Sequence, residues 1–285
     1  MAGQAVTQTD LDIAPLAGAL GAEIRGMDLA HANEEDWNGI RKAFLDHLVL
    51  AFPGQSLDPK TMVQVAGNFG PVGYYPFAEG LPEEPHIFAI VKEPHEKTNF
   101  GEGWHSDTTY TERPPMATVL YSVEVPPFGG DTLFANMHLA YETLSDGMKD
   151  MLHGLQAVSS AATRKGGGRA AGNAFQSVKL VDQEKMTLEA THPVVRTHPD
   201  TGRKALYVNA LHTARFDGWT EEESRPLLEF LYRHQQRPEF TCRYRWQANT
   251  FTIWDNRAAQ HLAVNDYHGH RREMHRLSIE GDRPT

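Results

Sequence analysis

Apolar side chains recur at helical spacing in three stretches of the chain. Trp37, Ile40, Phe44 and Leu48 follow Asn33, a good N-cap, and predict a first helix. Asp58 as cap and Pro59 at the first helical position open a second, with Met62, Val65, Ala66 and Phe69 on one face and Gly70 as the stop. A third runs over about 220–236, turning Leu227, Leu228, Leu231 and Tyr232 inward. Elsewhere short β-branched and aromatic runs predict strands over 48–52, 86–91, 104–110, 117–125, 132–135, 193–197, 205–209, 240–246, 251–254 and 272–279. Gly and Pro turns punctuate them, as in Pro126-Pro127-Phe128-Gly129-Gly130 and Pro199-Asp200-Thr201-Gly202. Strands and helices do not alternate regularly, which disfavours a doubly wound parallel sheet. The expected fold is mainly β with flanking helices, a sandwich or jelly roll holding a small-molecule site at its mouth.

Composition narrows this picture. The chain has 285 residues, with 27 Lys or Arg against 37 Asp or Glu, so its formal charge is −10. With 40% hydrophobic and 22% charged residues it matches globular proteins and not disordered ones. An acidic chain disfavours nucleic acid and anionic membranes as partners. No apolar run approaches the roughly 18 residues of a membrane span, and the start lacks a secretory signal, so a cytoplasmic location is expected. A single Cys, Cys242, excludes a disulfide framework and Cys-based metal sites. No linker or repeat divides 1–285, so one domain is expected, with a disordered start over about 1–10. Four glycines between Lys165 and Gly172 predict a mobile loop within about 160–190.

Candidate chemistry begins at Trp104-His105-Ser106-Asp107. On a strand, His105 and Asp107 would share a face and offer an imidazole and a carboxylate to one metal. With 15 His in the chain, such a pair arises about once by chance, so spacing alone is weak. His198-Pro199-Asp200 has the same spacing, but its turn would splay the side chains, and no metal role is expected of His198. His261, after the buried-looking 251–256 segment, can supply a third ligand. Two imidazoles and a carboxylate suit non-haem Fe(II); zinc with a bound water would accept them too. Arg272 and Arg276 lie downstream, four apart on one strand face and roughly 13 Å from each other by strand rise. Their guanidinium forks suit carboxylates and sulfonates.

The motifs WHSDTTY, GGDTLFAN, HPVVRTHPDTGRKALYVN, FTCRYRWQANTFTIWDNRAAQH and RREMHR together resemble the taurine/2,4-D-type (TauD/TfdA) Fe(II)/2-oxoglutarate-dependent dioxygenases. The resemblance runs in order from about Ile13 to Asp282. It implies a double-stranded β-helix (jelly-roll) core, with Fe(II), 2-oxoglutarate and O2 as cofactor and co-substrates. It implies His105, Asp107 and His261 as iron ligands, Thr132 and Arg272 on the distal carboxylate of 2-oxoglutarate, and Arg276 on the substrate anion. It also implies hydroxylation of a small anionic organic substrate (an organosulfonate, sulfate ester or aryloxyalkanoate), a homo-oligomer (dimer or tetramer), and a lid at the glycine-rich loop. Taurine-cleaving relatives carry a substrate-binding His shortly after the position of Gly70 and an Asn at the position of Gly101. Here the first region reads Pro71-Val72-Gly73-Tyr74-Tyr75-Pro76-Phe77, in which Tyr75 aligns with a substrate-contacting Tyr. A bulkier or more apolar substrate than taurine is therefore expected, with Gly101 and Gly103 making room. A zinc hydrolase on the same triad and a non-catalytic jelly-roll anion-binding module are the alternatives.

Overall fold

A computed structural model describes residues 11–75, 77–162 and 188–285. The expected disordered start over 1–10 and the glycine-rich 165–172 stretch of the expected lid lie outside the described residues. The chain opens with β1 (Asp12–Pro15), β2 (Ala22–Arg25), α1 (Glu34–His47), β3 (Val49–Phe52), α2 (Pro59–Ala66), β4 (Val72–Gly73) and β5 (Phe88–Lys92). It continues through β6 (Ala117–Glu124), β7 (Thr132–Asn136), α3 (Met137–Glu142), α4 (Asp146–Leu152), β8 (Gln156–Ser160), β9 (Glu189–Pro193), β10 (Val195–Thr197) and β11 (Lys204–Leu206). It closes with β12 (Thr213–Phe216), α5 (Glu221–Gln235), β13 (Thr241–Tyr244), β14 (Phe251–Asp255), β15 (Ala259–Ala263) and β16 (Arg272–Ile279).

The large sheet runs β1-β2-β3-β14-β6-β16-β4, with β5 on the free part of β16. A smaller sheet, β13-β7-β15, packs against it. Period-2 alternation sorts the large sheet's side chains into two cores. Leu50, Phe52, Val119, Ile253 and Leu277 point outward and pack under Trp37, Ile40 and Phe44 of α1 and Met62 and Val65 of α2. Val49, Ala51, Leu120, Trp254 and Met274 point the other way, onto Phe134, Cys242 and Tyr244 of the small sheet. Strands covered on both faces lose the polar alternation of a one-sided sheet, and all four β3 residues are buried.

The caps behave as their sequences dictate. Asn33 and Asp36 form a capping box on α1, and Asp58 accepts from Thr61 N at the head of α2. α1 ends one residue before Leu48, which adopts a left-handed φ of 62° and turns into β3. α2 stops at Ala66, earlier than the apolar spacing predicted, because Phe69 leaves the helix to pack edge-on against Trp37 and Phe44. The strand expected over 104–110 does not form. His105 makes one bridge with His261, and the chain then turns, with Thr108 at φ 44° and Thr111 N donating to Thr108 O.

Candidate active site

His105 is held by paired backbone hydrogen bonds, donating from its N to His261 O at 3.0 Å and accepting at its O from His261 N at 2.8 Å. That single bridge, and not a strand, brings the two imidazoles together, with ring centroids 4.2 Å apart and planes tilted by 46°. His261 itself is carried by β15, opposite Phe134 of β7. The turn after Ser106 then swings the Asp107 carboxylate back toward both rings. Asp107 Oδ1 lies 3.5 Å from His105 Nε2 and 3.8 Å from His261 Nε2. One ligand atom from each of the three falls within 4.8 Å of the others, and all three residues are buried.

The surroundings decide which atoms are presented. His105 Nδ1 donates to Gly103 O at 2.9 Å, which leaves the Nε2 lone pair free. Trp254 packs against His261 at 4.7 Å and fixes the ring by contact. Thr118 Oγ1 donates to Asp107 Oδ2 at 2.6 Å, so Oδ1 remains toward the imidazoles. Thr118 is in turn bonded by Asn256 Nδ2, and Asn256 Oδ1 accepts from Trp254 Nε1. Two ligands about 2.1 Å from one octahedral ion sit about 3 Å apart; the 3.5 and 3.8 Å from Asp107 Oδ1 to the two imidazoles come within about 1 Å of that. The donor set therefore fits a divalent metal.

Arg276 Nη2 stands 2.6 Å from Asp107 Oδ1, at ion-pair distance. Burial pushes the Asp107 carboxyl upward, but Arg276 and the two imidazoles outweigh it and hold the group well below the usual carboxylate range. Burial, helped by His105, holds His261 well below the ordinary imidazole value, which keeps it neutral. Tyr75 lies under the Arg276 guanidinium at 5.5 Å and stacks on Phe88 at 4.6 Å. A cleft of about 400 Å3 opens beside Tyr75 and Thr108, with Tyr74, Arg113, Pro115 and Ile279 also in its wall.

Four residues along β16, Arg272 points into the same space between the sheets. Its guanidinium lies 5.7 Å over Trp246 and 6.0 Å over Tyr267, and burial draws its pKa below the usual arginine value. Trp246 Nε1 donates to Thr132 Oγ1 at 3.0 Å, which places Thr132 beside the same indole. Gly129 and Gly130 precede this strand with φ of 73° and 67°; a Cβ on Gly129 would fall 2.5 Å from Asp266 Oδ1. The double glycine is thus a steric requirement of the turn. Gly101 and Gly103 also need positive φ, 86° and 110°, but a Cβ on either meets only ordinary contacts, at 3.6 and 3.8 Å. Backbone conformation, more than crowding, accounts for these two.

The structure thus brings His105, Asp107, His261 and Arg276 together, with Gly101 beside His105 and Tyr75 against Arg276, while Thr132 and Arg272 share the Trp246 indole further along β16. Thr118, Asn256, Trp246, Tyr267 and His212 were not singled out. A buried hydroxyl in the apolar run of β6 was the only signal for Thr118; His212, edge-on to His105 at 5.7 Å, comes from an irregular loop and had none. His198 lies away from the cluster, buried against Asp255.

Comparison with known proteins adds the chemistry. The profile of the family "Taurine catabolism dioxygenase TauD, TfdA family" matches residues 12–278. An alpha-ketoglutarate-dependent sulfate ester dioxygenase of Pseudomonas putida is 33% identical, over 97% of this chain and 91% of its own length. An alkylsulfatase of Acinetobacter baylyi is also 33% identical, over 96% of this chain and 86% of its own. The crystal structure of a taurine dioxygenase from Burkholderia xenovorans superimposes with a TM-score of 0.81 at 33% identity, covering 96% of this chain and 92% of that one.

Proposed function

The chain belongs to the TauD/TfdA family of Fe(II)- and 2-oxoglutarate-dependent dioxygenases, with their jelly-roll core, and from that premise we propose that His105, Asp107 and His261 hold its iron. The observation that carries this reading is the set of three buried ligand atoms within 4.8 Å, flanked by two inward arginines. When bound, Fe(II) with 2-oxoglutarate and O2 supplies hydroxylation of a substrate C–H, as 2-oxoglutarate is decarboxylated to succinate. The chain's own residues have three tasks. Thr132 and Arg272 bind the distal carboxylate of 2-oxoglutarate. Arg276 binds the substrate's anionic group, and Tyr75 and the backbone at Gly101 shape the space beside it. The apolar walls exclude water and aim one C–H bond at the metal.

Sulfate esters and sulfonates lead among the substrate classes, with aryloxyalkanoates behind them. In a sulfate ester, hydroxyl placed on the carbon bearing the ester oxygen gives a hemiacetal-like product; loss of sulfate and a proton leaves the aldehyde. The missing His after Gly70 speaks against taurine, because a polar pocket that lacks one hydrogen-bonding partner can lose discrimination by about 10⁴-fold. The family match gives no support to a zinc hydrolase or a non-catalytic module. We further infer one catalytic domain, 1–285, working in the cytoplasm as a homo-oligomer (dimer or tetramer) without nucleic acid or membrane partners. The net charge of −10 speaks against nucleic-acid and anionic-membrane partners, and among the described residues no helix is long and apolar enough to cross a membrane.

Anaerobic addition of Fe(II) and 2-oxoglutarate should give a visible charge-transfer band. A panel of alkyl sulfates, sulfonates and aryloxyalkanoates, read by succinate formation, should then rank taurine low. Arg272→Ala should raise KM for 2-oxoglutarate at least tenfold more than KM for substrate, and Arg276→Ala should do the reverse. No band, together with zinc-dependent ester hydrolysis, would overturn the reading; both arginine effects on one ligand would overturn the roles.

A further inference from the structure

Lys92 closes β5 and stands directly opposite Arg272 of β16 in antiparallel register, so both side chains enter the space between the sheets. Lys92 is 1% exposed and Arg272 4%. The ammonium lies 4.4 Å over the Tyr267 ring, the same ring the Arg272 guanidinium approaches from 6.0 Å. Lys92 Nζ and Arg272 Nε have no hydrogen-bond partner, and the same is true of Asn99 Nδ2, whose Oδ1 accepts from Tyr267 OH. Lys92 Nζ, Arg272 Nε and Asn99 Nδ2 thus surround one tyrosine without an acceptor, while the Arg272 side chain also touches the tyrosine itself.

The nearby carboxylates are hydrogen-bonded to other groups, and Asp131, whose charge favours the charged form of Arg272, keeps only its Oδ1 buried without a partner. Asp131 Oδ2 takes Arg243 Nε at 2.5 Å, Glu102 Oε1 accepts from Asn99 N at 2.6 Å, and Glu96 Oε2 accepts from Glu93 N at 2.6 Å. Arg271, one residue earlier and turned outward, shows the contrast. It pairs with Glu93 at 3.2 Å, with Glu273 at 2.7 Å and with Glu124. Among the described residues the outward arginine has three carboxylate ion pairs, whereas Lys92 and Arg272 make none, Asp131 acting on Arg272 only through its charge. Two like charges opposed on a buried sheet face destabilise the protein unless an anion joins them.

We propose that Lys92 is a second cationic contact for the distal carboxylate of 2-oxoglutarate, so that a Lys92–Arg272 pair anchors that end of the co-substrate together with Thr132. The inference rests on the dioxygenase reading and adds a residue to it. It has a corollary for selectivity: a 2-oxo acid lacking the distal carboxylate, such as pyruvate, gains nothing from Lys92. Removing one charge-assisted contact should weaken the dicarboxylate about 10- to 100-fold.

The test uses Mn(II)-loaded full-length protein and the non-reactive analogue N-oxalylglycine, titrated calorimetrically. Lys92→Met should weaken N-oxalylglycine by that factor and leave pyruvate and Mn(II) affinities within about twofold of wild type. Its ligand-free Tm should rise by about 2 °C or more, since an unpaired buried charge is gone. Lys92→Arg should retain N-oxalylglycine affinity better than Lys92→Met does. Equal N-oxalylglycine affinity in wild type and Lys92→Met would overturn the assignment. So would a parallel loss of pyruvate and N-oxalylglycine with a lower Tm, or failure of Lys92→Met to fold, since either marks a structural role. If wild type with Mn(II) does not bind N-oxalylglycine at all, the dioxygenase reading itself fails and takes Lys92 with it.

Discussion

Thr118 Oγ1 has one proton to donate, and it gives it to Asp107 Oδ2 at 2.6 Å. That bond leaves Oδ1 as the oxygen that meets the two imidazoles and Arg276. Partners of this kind orient a metal ligand, and losing one typically costs 10–100-fold in metal affinity. Thr118→Val keeps the volume and removes the donor, so it should weaken Mn(II) or Fe(II) binding by about that factor, while Thr118→Ser stays near wild type. Competitive metal titration measures both, and a valine variant that binds metal as tightly as wild type would refute the positioning role. At this scale the sequence was legible where chemistry is written in spacing: the HxD pair, His261 and the inward arginines. It was silent on Thr118 because a threonine in a strand of valines and leucines reads as ordinary β-propensity. Nor could it show that Arg276 reaches Asp107, which depends on the turn at Thr108.

Strands and turns carry the next layer. β14 ends in Asp255, fully buried, which accepts from His198 Nε2 at 3.0 Å and from Arg257 Nε at 2.8 Å and Nη2 at 2.7 Å. Arg257 also reaches Asp200 at 2.8 Å. Burial works to raise the Asp255 pKa, but Arg257 and His198 more than offset it and hold the carboxyl far below its ordinary range. This cluster fixes the turn from β14 into β15, the strand that carries His261. Asp255→Asn leaves the buried Arg257 charge with only the half-exposed Asp200 as a partner, which should cost about 3 kcal/mol in chemical denaturation and weaken metal binding along with it. A loss under about 1 kcal/mol would show that the turn holds without the cluster. Turn chemistry gives His198 no ligand role, and its Nδ1 does accept from the turn's Asp200 N and Thr201 N. Its service to Asp255, 57 residues away, is a tertiary contact that local pattern does not encode. The same limit explains the missing 104–110 strand, where a β-rich sequence is overridden by one bridge and a left-handed threonine. It also explains α3 and α4, six and seven residues long, too short for periodicity to announce.

Across the whole molecule, alternation and caps made the β class and the flanking helices legible, whereas sheet order, with β14 between β3 and β6, arises from long-range pairing. The 15 histidines look different at this scale. Two belong to the proposed metal site, and others are buried as neutral rings. His138 Nδ1 donates to Lys204 O at 2.8 Å and His192 Nε2 to Thr111 O at 3.0 Å; the second nitrogen of each is buried without a partner. Burial lowers the pKa of both, as it does for His261. Below the unfolded-state value near 6.5, the unfolded chain takes up protons that these folded rings refuse. Stability must therefore fall as pH falls through that value, by up to about 1.4 kcal/mol per pH unit for each such histidine. The lowered carboxyls of Asp107 and Asp255 act in a separate window: their contribution is present above about pH 3.9 and is lost only below it. Urea unfolding of the metal-free protein should accordingly show a decline between about pH 7 and 5, before Asp107 or Asp255 titrates. Replacing His138 by Asn and His192 by Gln keeps each donor and removes the titrating ring. The double variant should show a visibly shallower decline over that interval, and a slope identical to wild type would place the acid sensitivity elsewhere.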